Sequence, residues 1–346
     1  MKRNLIIFLV IAPLFGVLLA GIQVYYELAI WRYQGPDVLF TIKPGQGFSK
    51  INYQLQQQHI INNPKVFHRY AQFKGYMTKF KAGTYEIKNN SNLIEITNAL
   101  VFGRPYTVKV TIPEGKNLFE IGKILEEKEI VDKKSFIAAA KSPQLAKALK
   151  IPAKRLEGYL FPETYHFPPK ASAQDVIRAM VRQFRQQTKK IDFSKAHLNF
   201  HEVVILASIV EKETGASFER RKIAGVFHNR LKKRMRLQSD PTTIYGIYEN
   251  FNGNLRKKHL LEKTPYNTYK ISGLPVGPIC NPGPQAIEAV LDPEEHNYLY
   301  FVSMNDGTHV FSRSYKDHLK AVDKYQKQRR YRKGRSWRDL KKKSKN

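Results

Sequence analysis

An uncharged apolar run near the N-terminus, Leu5–Tyr26, constrains this 346-residue chain more than any other feature. About 20 apolar residues span a bilayer, and the run exceeds the ~7–15-residue apolar region of a cleaved signal peptide. We therefore predict one transmembrane helix over residues 5–26, after a cytoplasmic stub at residues 1–4 and before a connector at residues 27–37. Ala20 also fits a cleavage site, so removal of the segment stays an alternative.

The basic residues on either side of this run bear on its orientation. Lys2 and Arg3 precede the run, and an excess of Lys and Arg marks the cytoplasmic side of a span. Arg32 on the far side weakens the asymmetry. The predicted location is the inner (cytoplasmic) membrane, crossed once, with a cytoplasmic N-terminus and the rest of the chain in the periplasm.

The chain is strongly basic, with 59 Lys and Arg against 29 Asp and Glu and a net charge of +30. Such a balance favours a polyanionic partner, and outside the cytoplasm anionic lipid or an acidic wall polymer is more available than nucleic acid. The basic tail at residues 326–346 fits a surface-binding segment or a disordered solubilising end. A single cysteine, Cys280, excludes an internal disulfide and a cysteine-based metal site, and we expect no metal and no cofactor.

The segment after the connector has a β-α-α-β pattern. Strand-forming residues at Val38–Lys43 precede a Pro44–Gly45 turn. A helical pattern follows from Phe48, a second begins at Pro64, and Phe80–Ile87 alternates like a returning strand.

Part of this pattern recurs 70 residues later, where Gly115 matches Gly45 and Ile121 matches Ile51. We predict two related units, at residues 38–108 and 109–155. The pattern resembles LysM-type modules, which bind N-acetylglucosamine-containing glycans. Glycan binding and a spacer role both fit a pattern this general.

From residue 156 the composition changes to aromatic segments, helices and polar loops. We predict an extended segment at Leu156–Tyr165, a helix at Ser172–Gln187, a central helix from about residue 201, and a helix capped by Ser217 that runs through Lys233. Later elements are a short helix at Pro284–Asp292, a hairpin around Asn305–Gly307 and a helix near Tyr315.

Three irregular segments rich in Pro, Gly, Tyr, Asn and Thr are predicted to line a cleft, at residues 235–246, 264–269 and 273–283. Amides and hydroxyls beside tyrosine rings suit a carbohydrate. The alternative is ordinary turn chemistry, because Asp-Pro, Asn-Pro and Gly-Pro all form turns.

The apolar helix that ends in Glu211 and Glu213 is the candidate catalytic element, with Gly215 predicted to stop it. A helix dipole is negative at its C-terminal end, so a carboxyl group there should hold its proton more tightly. A general acid needs that property near neutral pH. The alternative is a solvated helix end.

Several motifs, in order along the chain, resemble those of the YceG-like (MltG) endolytic murein transglycosylase family. They are Phe80–Tyr85, Glu157–Tyr165, Ala207–Thr214, Asn229–Leu231, Met235–Thr242, Tyr266–Tyr269, Gly273–Pro275 and Gly277–Ile279. The resemblance extends from the apolar run to about residue 325 and excludes the basic tail. It implies an α+β fold with a mixed α/β lytic-transglycosylase catalytic domain at residues 156–325.

The resemblance also implies an activity. Its substrate would be nascent peptidoglycan, cleaved between N-acetylmuramic acid and N-acetylglucosamine to leave a 1,6-anhydro end, which is a lyase reaction. One glutamate suffices as acid and then base, because the C6 hydroxyl of the sugar attacks within the same molecule. The implied partners are glycan strands and peptidoglycan synthases, with no nucleic acid.

Only one of the two glutamates can face the cleft, since residues two apart on a helix point about 200° apart. Ile209 and Val210 lie under Glu213, whereas Ala207 and Ser208 lie under Glu211. The more apolar environment favours Glu213. The family also places a small hydroxyl residue directly after the catalytic glutamate, and Thr214 fits that position.

By their position in the family motifs, nine residues are candidate glycan contacts. They are Gln238, Ser239, Asp240, Tyr245, Tyr266, Asn267, Thr268, Tyr269 and Asn281. Asp240 could instead be a helper acid or a loop cap, since Pro241 follows it. A non-catalytic wall-binding scaffold and a membrane-tethered nucleic-acid-binding protein are the competing hypotheses.

Overall fold

The computed structural model describes residues 2–195, 197–213 and 216–332, except for the side chains of residues 2–10, Lys195, Arg329 and Arg332. Thr214, Gly215 and residues 333–346 of the predicted basic tail therefore lie outside the described residues. The described part is a mixed α and β structure in which helices predominate and the strands form two-stranded sheets.

The main helices and strands follow one another along the chain in an irregular alternation. They are α1 (Lys2–Tyr25), β1 (Val38–Ile42), α2 (Phe48–Gln57), α3 (Pro64–Phe73), β2 (Gly83–Ile87), α4 (Leu93–Phe102), β3 (Val108–Thr111), α5 (Leu118–Glu127), α6 (Lys133–Ala140), α7 (Pro143–Ala148), β4 (Thr164–Phe167), α8 (Ala173–Thr188), α9 (Phe200–Glu213), α10 (Arg220–Lys232), α11 (Asp240–Gly246), α12 (Lys257–Leu261), α13 (Pro284–Leu291), β5 (Tyr300–Ser303), β6 (His309–Ser312), α14 (Tyr315–Val322) and α15 (Arg329–Arg332). The chain divides into two compact bodies, residues 1–108 with 166–169, and residues 109–165 with 170–346.

The apolar run folds as one helix, α1, which a π-helical turn at Tyr26–Ile30 extends. The stretch Ile11–Ile30 is long and apolar enough to cross a membrane, by length and composition. Its side chains are largely exposed, with Leu14 at 64% and Val17 at 71%. A helix that exposes apolar groups all round is suited to lipid rather than to water.

The first repeat, residues 38–87, has the predicted β-α-α-β order. β1 pairs with β2 in antiparallel register, Phe40 opposite Tyr85. Gly45 forms the predicted turn at φ +76°, a backbone conformation that only glycine adopts without strain. The Asn63 side chain accepts hydrogen bonds from two amides at the start of α3, and Pro64 occupies the first turn, as predicted.

The second repeat, residues 108–167, has the same plan with one further helix, α7, before its second strand. Gly115 forms its turn at φ +74°, and α5 begins 70 residues after α2. β3 pairs with β4, and the Thr111 and Thr164 hydroxyls are hydrogen-bonded at 2.9 Å. Because β4 lies beyond residue 155, this repeat is longer than the unit that we predicted at 109–155.

The core of the second body is built around α9. Every residue from Val203 to Val210 is buried, and α10, α11 and α13 pack against this helix. A helix that is apolar on all sides belongs in the middle of a core. The last turn of α9 emerges from that core and carries the two glutamates.

Two predictions for this body need correction. Ser217 does not cap a long helix, because α10 begins at Arg220 after a 3₁₀ turn at Ser217–Glu219. The segment 235–246 is not irregular throughout, since α11 forms from Asp240 with Pro241 in its first turn. Proline is favoured there because the missing amide has no helical partner in any case.

The remaining elements of this body follow the sequence closely. α8 begins one residue later than predicted, after Ser172, whose side chain caps it. α13 spans Pro284–Leu291. The hairpin forms as β5 and β6, with Val302 opposite Val310, and α14 begins at Tyr315.

Candidate active site

The two glutamates at the end of α9 contact different parts of the second body. The Ser239 hydroxyl donates to Glu213 Oε1 at 2.5 Å. The Gly283 amide donates to Glu211 Oε2 at 3.1 Å. The two carboxyl groups therefore have separate surroundings, as expected for residues two apart on a helix.

Glu213 is a partly buried carboxyl group with a perturbed pKa. Burial raises the pKa of Glu213 to about 7, and the negative charge of Asp240 adds to the rise. The Ser239 hydrogen bond and the positive charge of Arg230 act in the opposite direction. Burial dominates, because desolvation penalises the charged form more than one donor and one nearby cation favour it.

Arg230 is a buried cation near Glu213 and was not among the predicted site residues. It is 7% exposed and donates to the carbonyl oxygens of Leu237 and Leu299, each at 2.7 Å. Its guanidinium also lies over the Tyr300 ring, 5.2 Å from the centroid. These contacts fix a positive charge near Glu213 and attach the hairpin to α10.

Glu211 is held as an ion pair. Its carboxylate lies 3.3 Å from Arg220, and its side chain is 6% exposed. Arg220 also lies 3.8 Å from Glu114. The Arg220 guanidinium and the Gly283 amide occupy both carboxylate oxygens of Glu211, which is a structural arrangement that leaves the group no room to approach a substrate.

The loops that carry the candidate contacts are held together by their own buried polar groups. Thr268 Oγ1 accepts from the Ser239 amide at 2.9 Å and is 2.8 Å from Thr242 Oγ1. The Asn267 side-chain amide donates to the carbonyl oxygens of His259, Leu260 and Glu262. Asn267 and Thr268 are fully buried, so they position the loop that presents Ser239.

Gln238, Asp240 and Tyr269 are the candidate contacts that stay open to solvent near Ser239. The side chains of Gln238 and Asp240 are exposed, and Tyr269 is partly exposed. The Tyr269 hydroxyl donates to Asp240 Oδ1 at 2.7 Å. Asp240 is the first residue of α11, and Ser239 before it makes no side-chain cap bond.

Tyr245, Tyr266 and Asn281 lie beside a second buried carboxyl group, Glu157. Tyr245 Oη and the side-chain amide of Asn281 donate to Glu157, both at 2.8 Å. The Leu118 amide donates to it as well, at 3.0 Å. The Tyr266 ring packs edge-on against Tyr245, with centroids 4.8 Å apart.

Glu157 is 1% exposed, and burial raises its pKa to about 7 against the three donors, which lower it. A side cavity of about 460 Å³ lies next to it, lined in part by Arg155, His201 and Tyr266. Glu157 was not among the predicted site residues. The available signal was one acid inside an apolar run, Leu156 to Phe161, where an unpaired charge is costly.

The turn of the second repeat supports the end of α9. Gly115 donates its amide to the Asn281 carbonyl at 3.0 Å, and its own carbonyl accepts from Lys212 Nζ at 3.3 Å. The backbone amide of Asn281 in turn donates to the Lys116 carbonyl at 3.0 Å. Backbone hydrogen bonds in both directions fix this turn beside the residues that flank Glu213.

The loop at residues 273–283 is fixed to α9 from the other side. The Ile279 amide donates to Ser208 Oγ at 3.0 Å, and the Cys280 thiol donates to the Ser208 carbonyl at 3.2 Å. Asn281 Oδ1 accepts from the amides of Gly158 and Leu160. The buried Asn281 side chain thus joins three segments by hydrogen bonds. Its direct contact with a glycan stays a prediction.

Within the described residues, no three His, Cys, Asp or Glu side chains converge as metal ligands. The titratable group that combines a raised pKa with partial exposure at a helix end is Glu213. The fold and this site define a mixed α and β protein with an apolar N-terminal helix and a carboxyl group suited to acid–base chemistry.

The chain belongs to the YceG-like family, whose model matches residues 40–324. It is 35% identical over 306 residues to the endolytic murein transglycosylase of Bacillus subtilis, a match that covers 83% of this chain and 84% of that protein. The endolytic murein transglycosylase of Streptococcus pneumoniae D39 is 29% identical over 82% of this chain, and the match spans 58% of that relative.

A solved structure supports the same assignment. The 2.6 Å crystal structure of a yceG-like protein from Listeria monocytogenes superposes with a TM-score of 0.57 at 33% sequence identity. The match covers 82% of this chain and 98% of that one. The family resemblance drawn from the ordered motifs is therefore confirmed.

Proposed function

We propose that this protein is a membrane-anchored endolytic murein transglycosylase that uses Glu213 as its general acid and base. The observation that carries the proposal is a partly exposed carboxyl group whose pKa is raised to about 7 by burial. The names of the relatives from B. subtilis and S. pneumoniae supply the reaction class and the polymer. The proposed cleavage lies between N-acetylmuramic acid and N-acetylglucosamine within nascent strands.

The reaction begins with the protonated form of Glu213. Its proton passes to the glycosidic oxygen as the bond to C1 of the muramic acid residue breaks. The resulting carboxylate then removes the proton from the C6 hydroxyl of the same sugar, and O6 bonds to C1. The products are a strand with a 1,6-anhydro end and a strand with a free C4 hydroxyl, with no water consumed.

The neighbours of Glu213 fit this cycle. Ser239 donates a hydrogen bond to Glu213, which steadies the carboxylate form between the two proton transfers. Burial and Asp240 favour the protonated form, so the two states differ little in free energy near neutral pH. Gln238, Asp240 and Tyr269 are the proposed glycan contacts beside the acid, since their side chains reach the surface there.

The buried candidates have a supporting role in this proposal. Asn267 and Thr268 hold the loop that carries Ser239, while Asn281 and Tyr245 hold Glu157. Glu157 is excluded as the acid because it is 1% exposed and fully engaged with donors. Tyr266 lines the side cavity and is proposed to contact a sugar unit further along the strand.

The proposal places α1 in the cytoplasmic membrane with the second body on the outer side. The basis is the length and apolar composition of Ile11–Ile30 and the Lys2 and Arg3 that precede it. Anchoring would confine the enzyme to glycan near the membrane, where strands are made. Peptidoglycan synthases are the proposed partners at that location.

The decisive experiment compares Glu213→Gln with Glu211→Gln in the full-length protein in detergent, with purified sacculi as substrate and mass spectrometry of the released products. Glu213→Gln should lower the rate of anhydro-ended product release by about 10²–10⁴-fold, the usual contribution of a general acid. Glu211→Gln should keep most of its activity per folded molecule, with the folded fraction measured by thermal unfolding.

Two results would contradict the proposal. Loss of product with Glu211→Gln and retention with Glu213→Gln would show that the acid is Glu211. Binding of the wild-type protein to sacculi without any soluble anhydro product would favour a non-catalytic scaffold.

A further inference from the structure

A groove in the first body, separate from the Glu213 site, lies between α1 and α3. It has a volume of about 590 Å³. One wall is apolar and comes from α1 and the π-helical turn, with Val24 and Leu28 among its residues. The other wall is the outer face of α3, which includes Tyr70 and Phe73.

The two walls are fixed to each other by a buried polar pair. Glu27 in the π-helical turn is 7% exposed, and the Asn62 amide donates to both of its carboxylate oxygens at 3.0 Å. Asn63, the next residue, caps α3. The end of α1 and the start of α3 are therefore joined within a few residues, so the groove is a built feature of this body.

The outer face of α3 combines cations with aromatic rings. Phe67 and Ala71 face the core, which leaves Lys65, Arg69 and Phe73, spaced by four residues, along the opposite stripe. The Phe73 side chain is 86% exposed. An exposed aromatic ring beside a row of cations is the composition of helices that lie in a membrane interface.

The charge of the surrounding chain has one sign. Between Asp37 and Glu86 the sequence holds seven Lys or Arg and no Asp or Glu. Three of these cations, Lys65, Arg69 and Lys74, line the groove. A cationic surface beside an apolar wall complements a molecule with an anionic head and an apolar tail; Glu27, an acid in the same wall, is buried and bonded to Asn62.

The groove is also at the right depth for such a molecule. Its residues on α1 and the π-helical turn run from Ala20 to Leu28, which is about 12 Å along a helix. They form the C-terminal part of the candidate span Ile11–Ile30. If that span crosses a bilayer, the groove opens at the boundary between head groups and acyl chains, and Tyr25 and Tyr26, 63% and 49% exposed, sit where interfacial aromatic residues belong.

We propose that the groove between α1 and α3 binds an anionic phospholipid of the bilayer, with an acyl chain against Val24, Leu28 and Phe73 and the phosphate near Lys65, Arg69 and Lys74. This docks the first repeat onto the membrane surface. The inference rests on the membrane anchoring in the proposed function, and it concerns a surface that takes no part in the chemistry.

The test uses the full-length protein in vesicles, with an environment-sensitive fluorophore on Phe73→Cys. Cys280 is buried, so the introduced thiol takes the label. In vesicles of phosphatidylcholine with phosphatidylglycerol, the emission should shift to the blue and be quenched by spin-labelled lipid. In phosphatidylcholine alone, both effects should weaken.

Two matched variants sharpen the test. A label on Tyr53→Cys, an exposed position of α2 in the same repeat, should report water in both kinds of vesicle. Lys65→Gln with Arg69→Gln and Lys74→Gln should lower the docked-to-undocked ratio by roughly 100-fold in the anionic vesicles, since each cation near an anionic surface contributes about fivefold. Cleavage of soluble glycan fragments by this triple variant should match that of the wild type.

The outcomes separate this inference from the anchoring on which it rests. If the protein does not float with any vesicle, the anchor fails and the inference falls with it. If it floats but the Phe73 label responds equally in both lipids, or equally in the triple variant, the lipid site is overturned while the anchor stands. Shielding of the label by soluble glycan in place of lipid would also overturn the lipid site.

Discussion

The two repeats share a backbone plan apart from α7, and they differ in charge and in the residues that they contact. Gly45 and Gly115 turn the chain at φ +76° and +74°, and His59 and Glu129 end the following helices at φ 54° in both copies. Tyr85 and Tyr165 each donate a hydroxyl hydrogen bond to the carbonyl oxygen four residues earlier, at 3.0 and 2.7 Å. The turns, the helix ends and the tyrosine bonds are thus duplicated, whereas α7 is present only in the second repeat.

The difference lies in charge and in what each copy contacts within its own body. The first repeat, residues 38–87, has one acid, Glu86, and seven Lys and Arg, whereas the second, residues 108–167, has eight acids and eleven Lys and Arg. In the second repeat Glu114 reaches Arg220, and Glu157 binds Tyr245 and Asn281. The first repeat has a strongly basic surface, and the second is part of the scaffold around Glu213.

The largest expected effect concerns the buried acid of the second repeat. Glu157 and Met77 each lie eight residues before the paired tyrosine. Glu157→Leu should destabilise the protein by at least about 3 kcal/mol, because three buried donors lose their acceptor at about 1–3 kcal/mol each. Met77→Leu should cost less than about 1.5 kcal/mol as a volume-conserving change.

Denaturant unfolding in detergent measures the free energy of unfolding of the two variants. The comparison between the copies would be broken if Glu157→Leu were as mild as Met77→Leu. The buried carboxyl group would then contribute nothing that distinguishes the second repeat.

The next effect concerns the matched turn glycines. Gly115→Val and Gly45→Val impose the same strain at positive φ, about 1–2 kcal/mol. At Gly115 even a Cβ would lie 3.5 Å from Glu211 Cγ, whereas nothing lies within 4 Å at Gly45. Gly115→Val should therefore displace the end of α9 and lower the rate of anhydro product release by about 10–100-fold.

Gly45→Val should lose stability to a similar extent and keep its activity per folded molecule. Turnover on sacculi, normalised to the folded fraction, is the measurement. Equal activity losses in the two variants would mean that the second turn has no special link to the site.

The pH profile tells whether the second repeat supports the chemistry or takes part in it. Glu157 and Glu213 both have pKa values raised to about 7. Because protonated Glu213 is the active form, kcat/KM should fall as the pH rises through about 7. Ser239 lowers the pKa of Glu213, so Ser239→Ala should move this limb to higher pH.

Tyr245→Phe provides the contrast, since it removes a donor to Glu157. It should leave the limb in place, whatever its effect on the overall rate. If the fall of kcat/KM moved along the pH axis with Tyr245→Phe and stayed in place with Ser239→Ala, the titrating group would be Glu157 in the second repeat.

The smallest effect is expected to be equal in the two copies. Tyr85→Phe and Tyr165→Phe each remove one buried hydroxyl bond, which is worth about 1 kcal/mol. Both variants should unfold at slightly lower denaturant concentration and keep full activity on sacculi. A difference between them of more than about 1 kcal/mol would contradict their structural equivalence.

Local signals in the sequence determined most of the element order. The turn glycines, the Asn63 cap with Pro64, the Ser172 cap and the Asn-Asp-Gly hairpin act within a few residues, so their outcomes were predictable. One local signal, the capping side chain of Ser217, led to a wrong prediction. Ser217 has a capping side chain, yet the chain forms a 3₁₀ turn there and α10 starts at Arg220.

The sequence by itself thus determined the apolar helix, the β-α-α-β plan of the first repeat and its partial recurrence, the family and the two glutamates at the end of a buried helix. Only the tertiary structure decided what each acid can do. Glu211 meets Arg220, Glu213 meets Ser239, and Glu157 is enclosed by Leu118, Tyr245 and Asn281. A carboxyl pKa depends on burial and on partners far away in sequence, and neither is written in the residues next to it.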